Sequence, residues 1–235
     1  MYSMERTVSY SEIDMDLNLS IPGLVRYLQD VVIFDSESRG ADIEYLAKVH
    51  RAWVLGAWQI VIDRIPRFRE EVRITTFPYD FKGFIGYRNF VIESMDGECL
   101  VRVNSMWSHM DTEAMRPVKP TDEMMQHYQT SEKLDMDYAP RKIAVSGEGV
   151  EIEHIKVRKS QIDTNHHVNN TEYIAMAYEY LPDGVTVKQL RTEYKKPALM
   201  NDEIVPIVYQ TEDRMIVQLD SIEQEVYAVV EFTYE

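Results

Sequence analysis

The sequence predicts an α+β fold made of two copies of one unit, each with a helix followed by antiparallel strands. The segment from Ile13 to Ser20 aligns with the segment from Ile162 to Asn169 at an offset of 149 residues (163 minus 14, from the two aligned aspartates). In both halves a helical pattern of apolar residues comes first, and β-rich segments follow it. With 235 residues, 45% of them hydrophobic, the chain can bury a core in each half.

Each copy opens with a helix. In the first copy Ser20 is a favourable N-cap, and Pro22 is tolerated in the first helical turn. The apolar residues that then recur at helical spacing are Leu24, Val25, Leu28, Val31 and Val32. In the second copy the corresponding residues are Ile174, Ala175, Ala177 and Tyr178, and Pro182-Asp183-Gly184 ends the helix.

Strands follow both helices. They are predicted at residues 75–77, 87–93 and 99–107 in the first half and at 203–209, 214–219 and 225–234 in the second half. Asp96-Gly97 marks a hairpin turn. Residues 118–141 are polar and contain several prolines, which predicts a linker with one short helix. The domain prediction is therefore a first unit at 1–117, this linker, and a second unit at 142–235.

Composition narrows the class of function. The formal net charge of −15 disfavours a nucleic acid partner, which needs a basic face. Two basic clusters are candidates for an acidic partner, although ordinary solvated charges explain them equally well; they are Arg64, Arg67, Arg69 and Arg73, and Arg141, Lys142, Lys156, Arg158 and Lys159. A single cysteine, Cys99, excludes an internal disulfide framework. The N-terminal segment does not resemble a signal peptide, and we expect a soluble, cytoplasmic protein.

The richest segment chemically is 161–173, at the junction of a loop with the second helix. Between Asp163 and Asn170 it holds one acid, three asparagines and two histidines. A carboxylate can orient an imidazole, an imidazole can deprotonate water, and an amide can hold a carbonyl or a nucleophile. The start of a helix adds free backbone N–H groups. This combination is typical of a site that polarises a carbonyl group.

The candidate residues of this segment also have structural interpretations. Asp163 is either an orienting acid or a turn residue, and Asp14 occupies its place in the first copy. Asn165 and His167 have no counterpart of the same type there, which favours a function for them, with the imidazole as the base. A metal site on the His166-His167 pair with Asp163 lacks a recognisable third or fourth ligand.

The pattern Asp-x-Asn-x-His-Val-Asn-Asn, followed by x-x-Tyr-Ile, resembles the signature of the acyl-acyl carrier protein (acyl-ACP) thioesterases. The segments 53–66, 72–76 and 193–196, and the residues Trp107 and Arg116-Pro117, are similar to those of that family, so the resemblance covers nearly the whole chain. It implies a tandem hot-dog fold, in which each unit wraps a long helix in a curved antiparallel sheet. One active site per chain is expected, because the first copy lacks the site residues.

The resemblance implies hydrolysis of a fatty acyl group carried on acyl carrier protein (ACP). Water would attack the carbonyl, His167 would take its proton, Asp163 would fix the imidazole, and Asn165 would align the water or the substrate. Asn169 and Asn170 are expected to support the helix start, where backbone N–H groups would stabilise the oxyanion. No metal or organic cofactor is implied, and a homodimer is compatible with the family.

The sequence departs from the family at one place. Many plant members carry an acid and a cysteine directly after the Glu-Tyr-basic-basic stretch, where this chain has Pro197 and Ala198. A cysteine-based mechanism is thereby removed, and the acid is missing too. Glu193 is the substitute candidate, because side chains an even number of residues apart share a face of a strand.

The acyl chain is expected to lie against the first half. Its candidate lining residues, which fit an ordinary core as well, are Leu24, Tyr27, Leu28, Val31, Trp53, Leu55 and Trp58. Three other functions remain open. They are an acyl-CoA thioesterase, a hot-dog dehydratase acting on 3-hydroxyacyl thioesters, and a non-catalytic protein that binds acyl thioesters.

Overall fold

The structure is a computed structural model that describes residues 1–235. It separates into two compact units, Met1–Gly56 with Ile62–Tyr138, and Ala57–Val61 with Ala139–Glu235. The division between Tyr138 and Ala139 falls inside the segment predicted as a linker, and most of that segment belongs to the first unit. None of the helices is both long and apolar enough to cross a membrane.

The first unit packs helices on an antiparallel sheet. Its strands are β1 (Tyr2–Thr7), β2 (Arg51–Ile62), β3 (Glu71–Lys82), β4 (Ile85–Ser94), β5 (Cys99–Asp111) and β6 (Arg116–Pro117). Its helices are α1 (Ile21–Ser38), α2 (Ile43–Lys48) and α3 (Asp122–Met125), with a 3₁₀ turn at Tyr10–Glu12. The strand order is β1-β3-β4-β5-β2, and β6 pairs with β5. The predicted turn at Asp96-Gly97 joins β4 to β5, and Gly97 has the positive φ of 88° that glycine adopts easily.

Helix α1 forms as the sequence predicts. The Ser20 hydroxyl accepts a hydrogen bond from the Gly23 N–H at 3.2 Å, and Pro22 lies in the first turn. The helix packs against β1 and β3. The apolar residues on its predicted buried face are almost completely inaccessible: Leu24, Val25, Leu28, Val31 and Val32.

A buried ion pair ties α1 to the sheet of the first unit. Asp35 on α1 has no exposed surface, and its carboxylate accepts hydrogen bonds from Arg88 Nη1 on β4 at 2.6 Å and from Arg39 Nε at 2.5 Å. Arg88 Nη1 also donates to the Thr76 hydroxyl on β3 at 3.1 Å. Burial lowers the pKa of Arg88, whereas the charge of Asp35 opposes that shift. The Asp35–Arg88 pair therefore links the helix to two neighbouring strands, β4 through Arg88 itself and β3 through Thr76.

The second unit repeats the plan with a shorter helix. Its strands are β7 (Val150–Glu151), β8 (Ile155–Lys156), β9 (Val187–Tyr194), β10 (Glu203–Gln210), β11 (Arg214–Ser221) and β12 (Val226–Tyr234). Its helix α4 (Asn170–Tyr178) packs on β12 and follows a 3₁₀ turn at Lys159–Gln161. The strand order is β9-β12-β11-β10, with Ala57–Val61 of β2 beside β9. The predicted α+β class is confirmed in both units.

The segment that opens the second unit lies along the sheet face that α4 does not cover. Arg191 on β9 donates to the Pro140 carbonyl at 2.5 Å, and the Ala139 N–H donates to Gln59 Oε1 at 2.9 Å. Ile143 is buried with Ile216 and Val229 in a small apolar cluster. These contacts occupy the outer face of β9, which limits the residues of that strand that can reach α4.

We expect Asp35→Asn to lower the free energy of unfolding by about 3 kcal/mol, because the buried guanidinium of Arg88 would lose its counter-charge. Urea denaturation measures the change. Asp30→Asn is the matched control on the same helix, since Asp30 pairs with Arg6 at a half-exposed position and should contribute less than about 1 kcal/mol. Equal, small losses in both variants would contradict the structural role given to Asp35.

Candidate active site

The predicted motif forms a tight loop between the second 3₁₀ turn and α4. The Asp163 N–H donates to the His167 carbonyl at 2.8 Å, and the His166 N–H donates to the Asp163 carbonyl at 3.1 Å. His166 has a φ of 62° and is exposed, whereas His167 is half-buried. The Asn169 N–H donates to the Gln161 carbonyl at 2.8 Å, which closes the loop at the start of the helix.

The carboxylate of Asp163 holds the backbone of this loop. Its Oδ1 atom accepts the N–H groups of Asn165 at 2.8 Å and His167 at 3.3 Å. Its side-chain hydrogen bonds go to these backbone groups, and none goes to the imidazole ring of His167. The turn role that the sequence offered as an alternative is therefore present, and orientation of the imidazole by Asp163 stays a prediction.

The first copy contains the same loop without the same side chains. Asp14 Oδ1 accepts the N–H groups of Asp16 and Asn18, both at 2.9 Å. Leu17 has a φ of 64°, which matches the value of 62° at His166. The loop conformation is thus a feature of the repeated unit, and only the second copy adds Asn165 and His167 to it.

One backbone donor is left over where the loop meets α4. Asn169 is the N-cap, because its Oδ1 accepts the Thr171 N–H at 2.9 Å and its carbonyl accepts the Glu172 N–H at 2.9 Å. Among the backbone N–H groups from Asn165 to Glu172, only that of Asn170 makes no hydrogen bond. It lies at the positive end of the helix dipole.

Two tyrosines attach the loop after β9 to the motif. The Val168 N–H donates to the Ala198 carbonyl at 2.9 Å, and the Ala198 N–H donates to the Tyr173 hydroxyl oxygen at 2.8 Å. The Tyr194 hydroxyl donates to the Asn170 carbonyl at 2.9 Å, and the two tyrosine rings meet edge to face. Burial raises the pKa of Tyr173 to about 12, so its hydroxyl stays protonated. Tyr173 lies in the predicted motif and Tyr194 in the segment 193–196 that resembles the family, and no role was predicted for either tyrosine.

These contacts bring Pro197 and Ala198 next to the motif loop. Ala198 is completely buried, and its carbonyl and N–H are both used in holding that loop. Pro197 is exposed. Positions 197 and 198 are therefore close to the motif loop, but neither side chain there can exchange a proton.

Glu193 is not brought to the motif. It lies on β9 next to Tyr194, and successive side chains of a strand point to opposite faces. Tyr194 contacts α4, whereas the Glu193 carboxylate accepts the Ile143 N–H at 3.3 Å and lies 3.9 Å from Lys195 Nζ. On the helix, Glu172 is half-buried and Glu179 is exposed. No group of three or more His, Cys, Asp or Glu side chains is arranged to hold a metal.

An open cleft lies in the first unit, between the second half of α1, α2 and strands β3 and β4. It encloses about 640 Å³, counting the part open to solvent, and its walls are mostly apolar. Trp53 is the one predicted chain-lining residue that borders it. The other six are closely packed core residues: Leu24, Tyr27, Leu28, Val31, Leu55 and Trp58.

The two basic clusters differ in how their charges are used. In the first cluster Arg64 pairs with Glu70 and Glu98, and Arg73 pairs with Glu5. In the second cluster four exposed cations make no ion pair: Lys142, Lys156, Arg158 and Lys159. Arg158 and Lys159 directly precede the motif loop, so positive charge lies close to it in the chain.

Comparison with known proteins gives consistent matches over the chain. The model of the acyl-ACP thioesterase N-terminal domain matches residues 1–128, and that of the C-terminal domain matches residues 145–231. A chloroplastic acyl-[acyl-carrier-protein] hydrolase of Cuphea viscosissima is 28% identical over 209 residues, which are 81% of this chain and 49% of that protein. The chain spans about half the length of the first curated relatives it matches.

Solved structures agree with the fold. The acyl-ACP thioesterase from Bacteroides thetaiotaomicron superposes with a TM-score of 0.90 at 20% identity, covering 99% of this chain and 97% of that one. The 12:0-ACP thioesterase from Umbellularia californica gives a TM-score of 0.86 at 17% identity, covering 100% and 96%. The predicted hot-dog fold is confirmed by these matches.

We expect Asp163→Ala and Asp14→Ala to lower the free energy of unfolding by a similar amount, about 1–2 kcal/mol each. Each variant removes a carboxylate that accepts two backbone N–H groups. Amide hydrogen exchange should rise at positions 165 and 167 in the first variant and at 16 and 18 in the second. Unchanged exchange in Asp163→Ala alone would mean that its carboxylate does not hold the loop.

Proposed function

Because the chain belongs to the acyl-ACP thioesterase family, we propose that it hydrolyses a fatty acyl thioester carried on ACP to the free fatty acid and the carrier thiol. The observation that carries the proposal is the motif loop at the start of α4. There the side chains of Asn165 and His167 and the unpaired N–H of Asn170 occur within six consecutive residues. The backbone of this loop is held by Asp163. The matching loop of the first copy lacks both side chains.

In the proposed reaction a water oxygen bonds to the thioester carbon, and the C–S bond breaks. The imidazole of His167 takes a proton from the water and later gives it to the departing sulfur. The N–H of Asn170 is the backbone donor available to the negative oxygen that develops on the carbonyl. The amide of Asn165 aligns the water or the substrate.

We assign the proton transfer to His167 alone. Pro197 and Ala198 carry no titratable group, and Glu193 lies on the other face of β9. Asp163 acts through the backbone, because its carboxylate accepts the backbone N–H groups of Asn165 and of His167 itself. General-base catalysis by one positioned imidazole contributes about 10²- to 10⁴-fold, which sets the size of the effect to be measured.

The carrier is proposed from the charge distribution. The chain as a whole carries a net charge of −15, which would repel an acidic carrier at long range. The unpaired cations Arg158 and Lys159 precede the motif loop and offer a local positive surface. An acyl-CoA, which is also anionic, would be attracted by the same charges, so the two carriers are separated only by experiment.

His167→Ala should lower the rate of thiol release from acyl-ACP by about 100-fold or more, because the proposed base is lost. His166→Asn is the matched control. It removes the neighbouring imidazole, asparagine tolerates the positive φ at that position, and turnover should stay within about threefold. A panel of acyl-ACP thioesters of different chain lengths and a thiol-reactive dye provide the assay.

Three results, from this assay, from a binding measurement and from product analysis, would replace the proposal. Hydrolysis that survives His167→Ala would move the base to another residue. Binding of acyl-ACP by the wild type without thiol release would make the chain a non-catalytic binder, the alternative that Pro197 and Ala198 favour. Formation of an enoyl thioester from a 3-hydroxyacyl thioester would make it a dehydratase.

Reversing the charge of Arg158 and Lys159 together (R158E/K159E) should lower kcat/KM for acyl-ACP by about tenfold at low ionic strength, and the loss should shrink in high salt. The control is K48E/K119E, which reverses two exposed, unpaired cations of the first unit. Steady-state kinetics with acyl-ACP and acyl-CoA of the same chain length give the comparison. A higher kcat/KM for acyl-CoA than for acyl-ACP in the wild type would favour the acyl-CoA thioesterase instead.

A further inference from the structure

Two buried tyrosine hydroxyl groups hold the backbone around the motif in the second unit. Tyr194, the last residue of β9, donates to the Asn170 carbonyl in the first turn of α4 at 2.9 Å. The hydroxyl oxygen of Tyr173 on α4 accepts the Ala198 N–H at 2.8 Å. The centroids of the two rings are 5.9 Å apart, and the residues are only 9% and 2% exposed. The proposed reaction does not use either hydroxyl group.

The strand end at Tyr194 has a counterpart in the first unit. The N–H groups of Asp63 and Arg64 both donate to one carbonyl, that of Leu100, at 3.0 and 3.2 Å. The N–H groups of Lys195 and Lys196 both donate to one carbonyl, that of Tyr227, at 2.9 and 3.3 Å. The offset between these strand ends is 132 residues (195 minus 63), so the residue that corresponds to Tyr194 is Ile62.

The first unit has an apolar residue at both tyrosine positions. The helix starts match at the offset of 149, with N-caps at Ser20 and Asn169, so the residue that corresponds to Tyr173 is Leu24 (173 minus 149). Leu24 and Ile62 are both buried. The two hydroxyl groups therefore occur only in the unit that also has the amide and the imidazole of the motif.

The loop conformation forms without these hydroxyl groups. At the offset of 132, Pro66 corresponds to Ala198, and proline has no N–H that would need an acceptor. The Leu19 N–H nevertheless donates to the Pro66 carbonyl at 2.7 Å, as the Val168 N–H donates to the Ala198 carbonyl at 2.9 Å. The packing of the two loops thus gives no reason for a tyrosine at position 194.

The hydroxyl group of Tyr194 completes the fixation of the peptide groups around Asn170. The Asn169 carbonyl accepts the Glu172 N–H at 2.9 Å, and Asn169 Oδ1 accepts the Thr171 N–H at 2.9 Å. Tyr194 holds the Asn170 carbonyl, which belongs to the same peptide group as the Thr171 N–H. The peptide groups on both sides of the Asn170 Cα are therefore held, and the direction of the unpaired Asn170 N–H is set before a substrate binds.

Tyr194 acts in this arrangement as a permanent donor. Burial raises its pKa well above the ordinary value for tyrosine, so the hydroxyl group keeps its proton throughout the pH range of an enzyme assay. A carbonyl oxygen can only accept, so this proton is directed at the Asn170 carbonyl. Direction matters for the rate, because a displacement of about 1 Å in an active site can cost about 100-fold.

We propose that Tyr194 is a positioning residue for hydrolysis, which keeps the Asn170 N–H directed at the carbonyl oxygen of the thioester. Tyr173 supports it, because its ring packs on that of Tyr194 and its hydroxyl oxygen holds the loop at Ala198. The inference rests on the proposed function and adds to it a residue that does not touch the substrate. Tyr194 exchanges no proton in the reaction.

Tyr194→Phe removes the hydroxyl group and leaves the ring in place. We expect kcat for acyl-ACP to fall about tenfold with KM within about twofold, because the donor to the developing negative oxygen is misdirected. The pH at which kcat is half-maximal should stay unchanged, since His167 is not altered. A value of kcat within about twofold of the wild type, or a shifted pH profile, would overturn the proposal.

Tyr234→Phe is the matched control in the same unit. Tyr234 is 4% exposed, and its hydroxyl group also donates to a backbone carbonyl, that of Thr211, at 3.2 Å. This variant should keep kcat within about twofold of the wild type. Thermal unfolding of both variants shows that a loss of kcat does not come from unfolded protein.

A double-mutant cycle tests whether Tyr194 acts through the Asn170 N–H. Asn170→Pro removes this N–H, and proline is tolerated at the first helical position, since Asn169 has the extended conformation (φ −59°, ψ 138°) that a residue before proline adopts. Asn170→Ala is the reference, because it loses the same side chain and keeps the N–H. The proline variant should have a kcat about 100-fold below that of the alanine variant.

The effect of Tyr194→Phe should depend on that N–H. We expect it to lower kcat about tenfold in the Asn170→Ala background and to have no effect in the Asn170→Pro background, because the group that it positions is absent there. An equal loss in both backgrounds would mean that Tyr194 acts on another part of the site, which would contradict the proposal.

The proposed function and this inference have different failures. A wild type that releases no thiol from any acyl-ACP would end the proposed function, and this inference with it. A wild type that hydrolyses acyl-ACP, together with a Tyr194→Phe variant that is as active, would leave the proposed function intact and end this inference alone.

Discussion

A carboxylate that binds the backbone of its own loop is the interaction on which the motif depends. Asp163 accepts the N–H groups of Asn165 and His167, and Asp14 does the same for Asp16 and Asn18. Because both copies have the aspartate, the turn is a feature of the fold and forms without the side chains of Asn165 and His167. The backbone is held in the same way in both copies, but only the second copy has an amide and an imidazole at these positions. The family signature is thus partly a structural requirement of the loop.

The loop that packs against the motif is repeated as well. The Leu19 N–H donates to the Pro66 carbonyl at 2.7 Å, as the Val168 N–H donates to the Ala198 carbonyl at 2.9 Å. The positive φ of 70° at Arg69 matches the 75° at Asn201. Glu70 and Asp202 each accept a backbone N–H three residues earlier, at 2.9 and 2.8 Å. The loop that contains Pro197 and Ala198 therefore has a counterpart of similar conformation in the first copy.

Local signals in the sequence were sufficient for the elements that depend on neighbours in the chain. The N-cap at Ser20, the apolar spacing of α1, the hairpin turn at Asp96-Gly97 and the duplicated loop all involve residues within a few positions of one another. The structure does not bring Glu193 to the motif. The prediction that Glu193 shares a face with position 197 requires a strand through that position. Strand β9 ends at Tyr194, so side-chain alternation does not extend to Pro197.

Features that depend on distant residues could not be predicted. The cleft combines Trp53, Arg88 and Tyr128, which come from β2, β4 and the segment after α3, and no spacing in the sequence indicates that they meet. The same holds for the Asp35–Arg88 pair, whose partners are 53 residues apart. An apolar stripe predicts burial but does not show which side of a buried residue faces empty space. The predicted lining residues were therefore placed in the core of the protein with the single exception of Trp53.

The buried Asp35–Arg88 ion pair lies beside the cleft of the first unit. Asp35 is held by two guanidinium groups, so the part of α1 that borders the cleft is fixed to β4 by charge-assisted hydrogen bonds. Arg88 serves the pair and borders the cleft at the same time. The first unit thus has a buried network of charge-assisted hydrogen bonds beside its cleft, whereas Asn165 and His167 of the motif occur only in the second unit.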